Sequence, residues 1–513
     1  MFNNVTIGHQ RKNESKTTLN SAGGRVYKLE PDQELFRLML DFRPKNSFYL
    51  SVPEKLSLLE NLIDKCDTPF VTAVSMFAGK ELGIRLSPTI AATRLAYCGN
   101  YELLNSVAKE IITRPDFIAN SIGYYFKLRG GAVPIWKSGW AQQNLPIQFC
   151  KPLKQSLEGM KAHTLKKQRM DRRTIKLKNL IMGLRPKPAN EEMSSLYKSI
   201  IEDTTACKLQ VVKDEKTGKV TSADHLTAVM SDKSVSKEMT IEYLLENLKT
   251  IPINTLIRNI SLLNHCTIHP SYIKILSDRL HSICKSGEAM RFINPFDLLI
   301  NSEINPIITQ IFDEILETYF SINLECKKPL ILVDISGSMG NGWNSSDING
   351  GISKASKYLA LLKSCIPNAN VIPFGSDMMN WDGAISISTD VGPNKFFRDF
   401  NNWANPQCVN STAILRSMEQ ALNKYTETDG LIVLTDEESW DDDRTVSSYG
   451  NLLERYNLSG RCMMINVSPS TGSVFKPDAS IVRIAGLDGK ILAMTKALFN
   501  WEQFKAELIA KYN

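Results

Sequence analysis

The stretch PLILVDISGS (329–338) decides the fold of the C-terminal part of the chain. An unbroken apolar run that ends in polar residues suits a strand buried on both faces, as in a parallel sheet. NVIPFGS (370–376), GLIVLTD (430–436) and RCMMINVS (461–468) repeat the pattern. Between or beside them, ISKASKYLALLKSC (352–365), ILRSMEQALNKY (414–425) and YGNLLERYN (449–457) have apolar residues at helical spacing. Strand alternating with helix over residues 326–513 predicts a doubly wound parallel α/β domain, in which ligands sit at the carboxyl ends of the strands.

Polar clusters fall at those ends. Asp334, Ser336 and Ser338 stand at i, i+2 and i+4, so in an extended turn one carboxylate and two hydroxyls aim at one point. Asp436 ends a later strand at an equivalent height, and Thr412 precedes a helix between them. Carboxylates, hydroxyls and water make an all-oxygen set that suits a hard divalent cation, Mg²⁺ most simply, with Mn²⁺ or Ca²⁺ as alternatives. The plainer reading of the first cluster is a helix-capping turn whose Asp and Ser satisfy backbone amides. Glu437, Glu438, Asp441, Asp442 and Asp443 follow. They read as a solvated loop or as a negative guard against nucleic acid.

Together these positions resemble the metal-ion-dependent adhesion site of von Willebrand factor A domains. The resemblance implies that Asp334, Ser336, Ser338, Thr412 and Asp436 ligate the metal, some through water. It also implies a free coordination position that accepts a partner's carboxylate. Asn410-Ser411 stands before the threonine where that family often has Gly-Gly. Two carboxylates and a metal can also hydrolyse phosphates. However, neither G-x-G-x-x-G nor G-x-x-x-x-G-K-[ST] occurs to grip them, so no enzyme is expected.

From about Gln33 to Ser321 the apolar spacing is helical almost throughout, as in EKLSLLENLI (54–63), YELLNSVAKEII (101–112) and IITQIFDEILETYF (307–320). Roughly fifteen short amphipathic helices with no intervening strands predict a solenoid of helical hairpins. VVKDEKTGKVTSADH (211–225) reads as a solvated loop, and residues 1–24 as a flexible arm.

The net charge of +7 hides an asymmetry. Residues 1–327 hold 44 basic and 34 acidic side chains, whereas residues 328–513 hold 17 and 20. The excess is concentrated between Lys151 and Lys187, with eight lysines and four arginines against Glu158 and Asp171. Its densest run includes Lys166, Lys167, Arg169, Arg172, Arg173 and Lys176. Clustered cations attract phosphates, and guanidinium groups grip them bidentately, so the run points to nucleic acid or another polyanion rather than to a plain solvated face. Tyr124, Tyr125, Phe126, Trp136 and Trp140 lie just upstream. Each is either a core residue or a ring on which an unpaired base stacks.

The N-terminal part resembles the TROVE module of the Ro autoantigen family. The resemblance rests on NSAGGRVY (20–27), Lys167-Gln168-Arg169, Leu184-Arg185-Pro186, the P-x-x-x-L-x-R-N pattern at 252–259, and Asn294-Pro295-Phe296 where the family has His-Pro-Phe. With the A domain following, it spans nearly the whole chain in the family's order. It implies a HEAT-like helical-repeat ring over residues 25–325 closed by an A domain over 326–513. Small non-coding (Y-like) RNA would bind a basic outer face through Lys166, Lys167, Arg169, Arg172, Arg173 and Lys176. Single-stranded RNA ends would enter the hole near Lys137 and Arg258. A protein partner at the metal site, an exoribonuclease among the candidates, and a monomeric state belong to the same expectation. The competing reading is a metal-dependent protein-interaction scaffold with no RNA role.

The composition, 43% apolar and 22% charged, supports buried cores rather than disorder. The sequence has no run of about 18 apolar residues to span a membrane and no apolar leader at residues 1–24. Its ten cysteines are scattered, without C-x-x-C pairs or zinc spacing. Isolated thiols of this kind suit a reducing compartment, so a cytoplasmic location is expected.

Overall fold

The structure, a computed structural model, describes residues 17–19, 25–27, 30–42, 51–131, 140–168, 170, 173–204, 207–215, 217, 219–263, 268–286, 293–300, 305–320, 326–337, 339, 351–366, 369–375, 391–404, 412–437, 448–459, 461–467, 481–485 and 501–512. The chain divides into two compact units. A helical unit holds Asp67–Phe292 with Leu508–Asn513, and a sheet unit holds Met1–Cys66 with Ile293–Glu507.

The helical unit runs α1 (Thr68–Lys80), α2 (Leu86–Tyr97), α3 (Glu102–Glu110), α4 (Pro115–Leu128), α5 (Trp140–Asn144), α6 (Ile147–Glu158), α7 (Ala162–Lys167), α8 (Leu177–Leu184), α9 (Glu191–Glu202), α10 (Leu226–Ser231), α11 (Lys237–Glu246), α12 (Ile253–Arg258) and α13 (Pro270–Lys285). Proline stands in the first turn of α1, α4 and α13, where its missing N–H leaves no hydrogen bond unmade. Small residues on α2 (Ala91, Ala92 and Ala96, all fully buried) let α4 approach. The Thr93 and Ser121 hydroxyls bond across that seam at 2.6 Å. The seam between α3 and α6 is tied by the Ser156 hydroxyl donating to the Ile112 carbonyl at 2.8 Å.

Two departures from the sequence reading appear here. Residues 211–225 are not a loop: Val211–Lys213 and Val220–Ala223 pair as an antiparallel hairpin whose Val220 is buried. Within the residues read as a flexible arm, Thr17–Leu19 pairs with Arg25–Tyr27. Both hairpins use short β-branched runs that helical periodicity passes over.

In the sheet unit, β1 (Pro329–Asp334), β2 (Asn370–Phe374), β3 (Gly430–Thr435), β4 (Cys462–Asn466) and β5 (Ile481–Ala485) form one parallel sheet in the order β2-β1-β3-β4-β5. Its helices are α14 (Pro306–Tyr319), α15 (Gly351–Cys365), α16 (Pro393–Ala404), α17 (Ile414–Lys424), α18 (Ser448–Arg455) and α19 (Trp501–Tyr512), the last belonging to this unit as far as Glu507. One face packs Leu330, Leu332, Leu431, Val433 and Met464 against α17 and α18. The residues between them, Ile331, Val333, Ile432 and Leu434, are buried too, and α15 lies against β1 and β3. The expected doubly wound arrangement is therefore present. The chain leaves β1 toward β2 on one side and leaves its neighbour β3 toward β4 on the other, which makes the carboxyl ends of β1 and β3 a topological switch point.

Helix α14, placed by chain order with the repeats before residue 326, packs instead on α15 and α16. Asp313 Oδ1 accepts from both the backbone N–H and the side-chain amide of Asn394, at 2.9 and 2.8 Å. Helix Pro31–Asp41 also belongs here: Phe36 meets Trp501 and Phe504 edge to face, and Asp32 pairs with Lys505. Among the described residues, no helix is long and apolar enough to cross a membrane.

Candidate metal centre and cationic cluster

Every residue of β1 and β3 is buried, so each strand carries its terminal polar residues out of water with it. Asp334, Ser336, Thr412, Thr435, Asp436 and Glu437 are all at most 2% exposed. The Asp334 carboxylate is organised on two sides. Its Oδ1 accepts the Ser336 N–H at 2.8 Å, and its Oδ2 accepts the Thr435 hydroxyl at 2.6 Å. Burial, and after it the neighbouring Asp436 charge, pushes the Asp334 carboxyl well above the usual carboxylate range. Two desolvated carboxylates side by side are costly unless a cation or a proton joins them.

Four of the five expected ligands are described. Asp334, Ser336 and Asp436 come together at the β1 and β3 ends, and Thr412 is buried just before α17. Ser338 lies outside the described residues, as do Asn410, Ser411 and the acidic run 438–443. Glu437 is not part of a solvated loop. It is buried, its backbone is left-handed at φ 61°, and Oε1 accepts from Asn466 Nδ2 at 3.1 Å. Oε2 is buried with no hydrogen-bond partner. In the sequence Glu437 reads only as one of the acids of the loop that follows, from which it is indistinguishable, and Asn466 was not singled out at all. An orphaned buried carboxylate oxygen, a strained non-glycine backbone and an oxygen-only donor set fit a divalent cation. Among the described residues no group of three or more His, Cys, Asp or Glu could hold a metal ion, at this site or elsewhere, so a cation here would depend on hydroxyl and water ligands beside the carboxylates.

The second constellation lies wholly in the helical unit. Lys167, at the end of α7, places Nζ 3.1 Å from His225 Nε2. On the other side of the ring, Nδ1 accepts the Thr227 backbone N–H at 3.0 Å, capping α10, and lies 2.9 Å from the Thr227 hydroxyl. Burial lowers the Lys167 ammonium below its ordinary range, and the Arg114 and Arg258 charges add to the effect. The same forces act on His225: burial first, then Lys167 and His163, hold its pKa down to about 4. Arg114 grips Asp116 bidentately at 3.0 and 2.7 Å. Arg173 shares that carboxylate at 3.6 Å and donates to Asn120 Oδ1 at 2.9 Å. Lys166 pairs with Asp224 at 3.1 Å.

Lys167 and Arg258, assigned from sequence to an outer face and a hole, thus stand in one electrostatic neighbourhood. Lys176 lies at the start of α8, and no described bond joins it to the cluster. Arg169, Arg172 and Lys137 lie outside the described residues. Arg114, Asp116, His163 and His225 were missed because they come from segments far apart in the chain. The aromatic residues are settled differently: Tyr124, Tyr125, Phe126 and Trp140 are all below 9% exposed, and Trp140 Nε1 donates to the Asn179 carbonyl at 2.9 Å. They form core rather than a stacking platform; Trp136 is not among the described residues.

No protein-family model and no curated protein sequence matches the chain. Among solved structures it is similar to the Ro (RSR) protein of Deinococcus radiodurans, with a TM-score of 0.50 and 11% identity, over 91% of this chain and 99% of that one. At such identity the likeness is one of fold. The chain therefore shares the fold of a Ro protein, with a helical part and a parallel α/β part in one polypeptide.

Proposed function

We propose that this chain is a non-enzymatic RNA-binding protein of the Ro type, in which a HEAT-like helical ring takes RNA and a von Willebrand factor A domain carries a divalent-metal site. The observation that carries the reading is the Lys167 cluster. Arg114, Lys166, Lys167, Arg173 and Arg258 are gathered in one neighbourhood, with Arg114 and Arg173 on Asp116 and Lys166 on Asp224. Lys176 and Lys178 add two cations to the first turn of α8, the positive end of its dipole. Burial comes first in depressing the Lys167 ammonium, but the part that the Arg114 and Arg258 charges add is relieved by a polyanion, and RNA phosphates supply one. Small structured RNA of the Y-like class and single-stranded RNA ends are the ligands, bound with weak sequence preference in a cytoplasmic, monomeric protein. In the A domain, Asp334, Ser336, Ser338, Thr412 and Asp436 would hold Mg²⁺, which when bound offers a partner's carboxylate a coordination position. Asp334 is pre-oriented for that by Ser336 and Thr435.

The test is a mobility shift with a hairpin RNA carrying or lacking a single-stranded 3′ tail. Binding that salt weakens and that the tail strengthens is expected. Salt-insensitive binding, or none, returns the chain to the competing scaffold reading. Defined Mg²⁺-dependent cleavage of the RNA, lost in Asp334→Ala, would establish an enzyme instead.

A further inference from the structure

A cleft along the seam of α3 and α6 was not singled out in the sequence. It has a volume of about 900 Å³, and its lining includes Tyr101, Lys109, Gln148, Lys151, Gln155 and Lys161. No aspartate or glutamate lines it. The three lysines come from α3, from α6 and from the residue before α7, and all are exposed. None of them has an ion-pair partner among the described residues, whereas neighbouring Lys154 and Lys80 are both paired, with Glu158 and Glu110. The cationic lining is thus local to the cleft.

The cleft also leads somewhere. Thr113 lines it and is followed by Arg114; Thr164 lines it from α7, whose last residues are Lys166 and Lys167. Its wall is therefore continuous in chain with the cationic cluster.

We infer that this α3–α6 cleft is a binding site for a short single-stranded segment of RNA, running on from the Lys167 cluster. The inference rests on the RNA-binding reading and deepens it. Each feature matches a part of an unpaired strand. The ammonium groups face phosphates. The amides of Gln148 and Gln155 carry both donors and acceptors for base edges. Tyr101, half-buried at the start of α3, offers a ring on which one base stacks. The volume lies at the upper end of the ~300–1,000 Å³ typical of small-molecule clefts, room for more than one nucleotide. A rigid A-form duplex has its bases paired and stacked inward, so it presents only backbone to such a cleft.

The full chain is titrated with two labelled RNAs by fluorescence anisotropy, a nine-residue oligouridylate and a blunt-ended hairpin. The variants are Lys109→Gln/Lys151→Gln/Lys161→Gln and, separately, Tyr101→Ala, each checked for unchanged melting. Affinity of the triple variant for oligouridylate should fall about tenfold or more, with the hairpin changed less than about twofold. Tyr101→Ala should lose about fivefold on oligouridylate alone. Unchanged oligouridylate affinity in the triple variant overturns the cleft site while leaving hairpin binding, and with it the broader reading, intact. Equal losses on both RNAs overturn its selectivity for single strands. Failure of the unaltered protein to bind either RNA overturns both.

Discussion

Asp334 and Asp436 are the residues on which the metal reading turns. Their mutual repulsion is relieved either by a cation or by removing one charge. Mg²⁺ at about 100 times its Kd should stabilise the unaltered protein by about 2.7 kcal/mol, raising the melting temperature of the sheet unit by several degrees. Asp334→Asn should abolish that rise and melt no lower than the metal-free parent. A variant that keeps the Mg²⁺ response would remove Asp334 from the site. His225 gives a pH signature. Its folded pKa is held down to about 4, below the ordinary value near 6.5, so the unfolded chain binds the proton first. The stabilisation is whole above about 6.5 and is lost as pH falls toward 4. Melting should therefore decline more between pH 7 and pH 5 in the parent than in His225→Gln. Parallel declines would show that His225 is not the group responsible.

At the scale of elements, the sheet was largely legible. Four of its five strands were visible as unbroken apolar runs, because burial on both faces leaves no polar interruption. β5 was not, since IVRIA (481–485) places a charge in its middle. The hairpin at 211–223 escaped because a turn of Asp, Glu, Lys, Thr and Gly dominates its composition. The cationic cluster was half legible. Lys166, Lys167 and Arg173 were read from local charge density, but only tertiary packing brings Arg114, His225 and Arg258 beside them. Packing elsewhere in the helical unit is tight: a Cβ on Gly183 of α8 would come 2.6 Å from Trp140 Nε1. Gly183→Ala should cost about 1–3 kcal/mol through overpacking, read by denaturant unfolding of the helical unit. A neutral result would mean that Trp140 has room to move.

For the whole molecule, the fold likeness to the Deinococcus radiodurans Ro (RSR) protein spans almost the entire chain at 11% identity, so few side chains carry over by alignment. Function must then be argued from this chain's own charges, whose basic excess lies in residues 1–327. The central claim is that clustered cations neutralise RNA phosphates. The most direct test is the slope of log Kd against log salt concentration for a hairpin RNA with a single-stranded tail, in the parent and in Lys167→Ala/Arg258→Ala. The account predicts a steep loss of affinity with salt in the parent and a slope shallower by roughly 0.7 for each cation removed. A slope near zero in the parent, or one that the double substitution leaves unchanged, would contradict it.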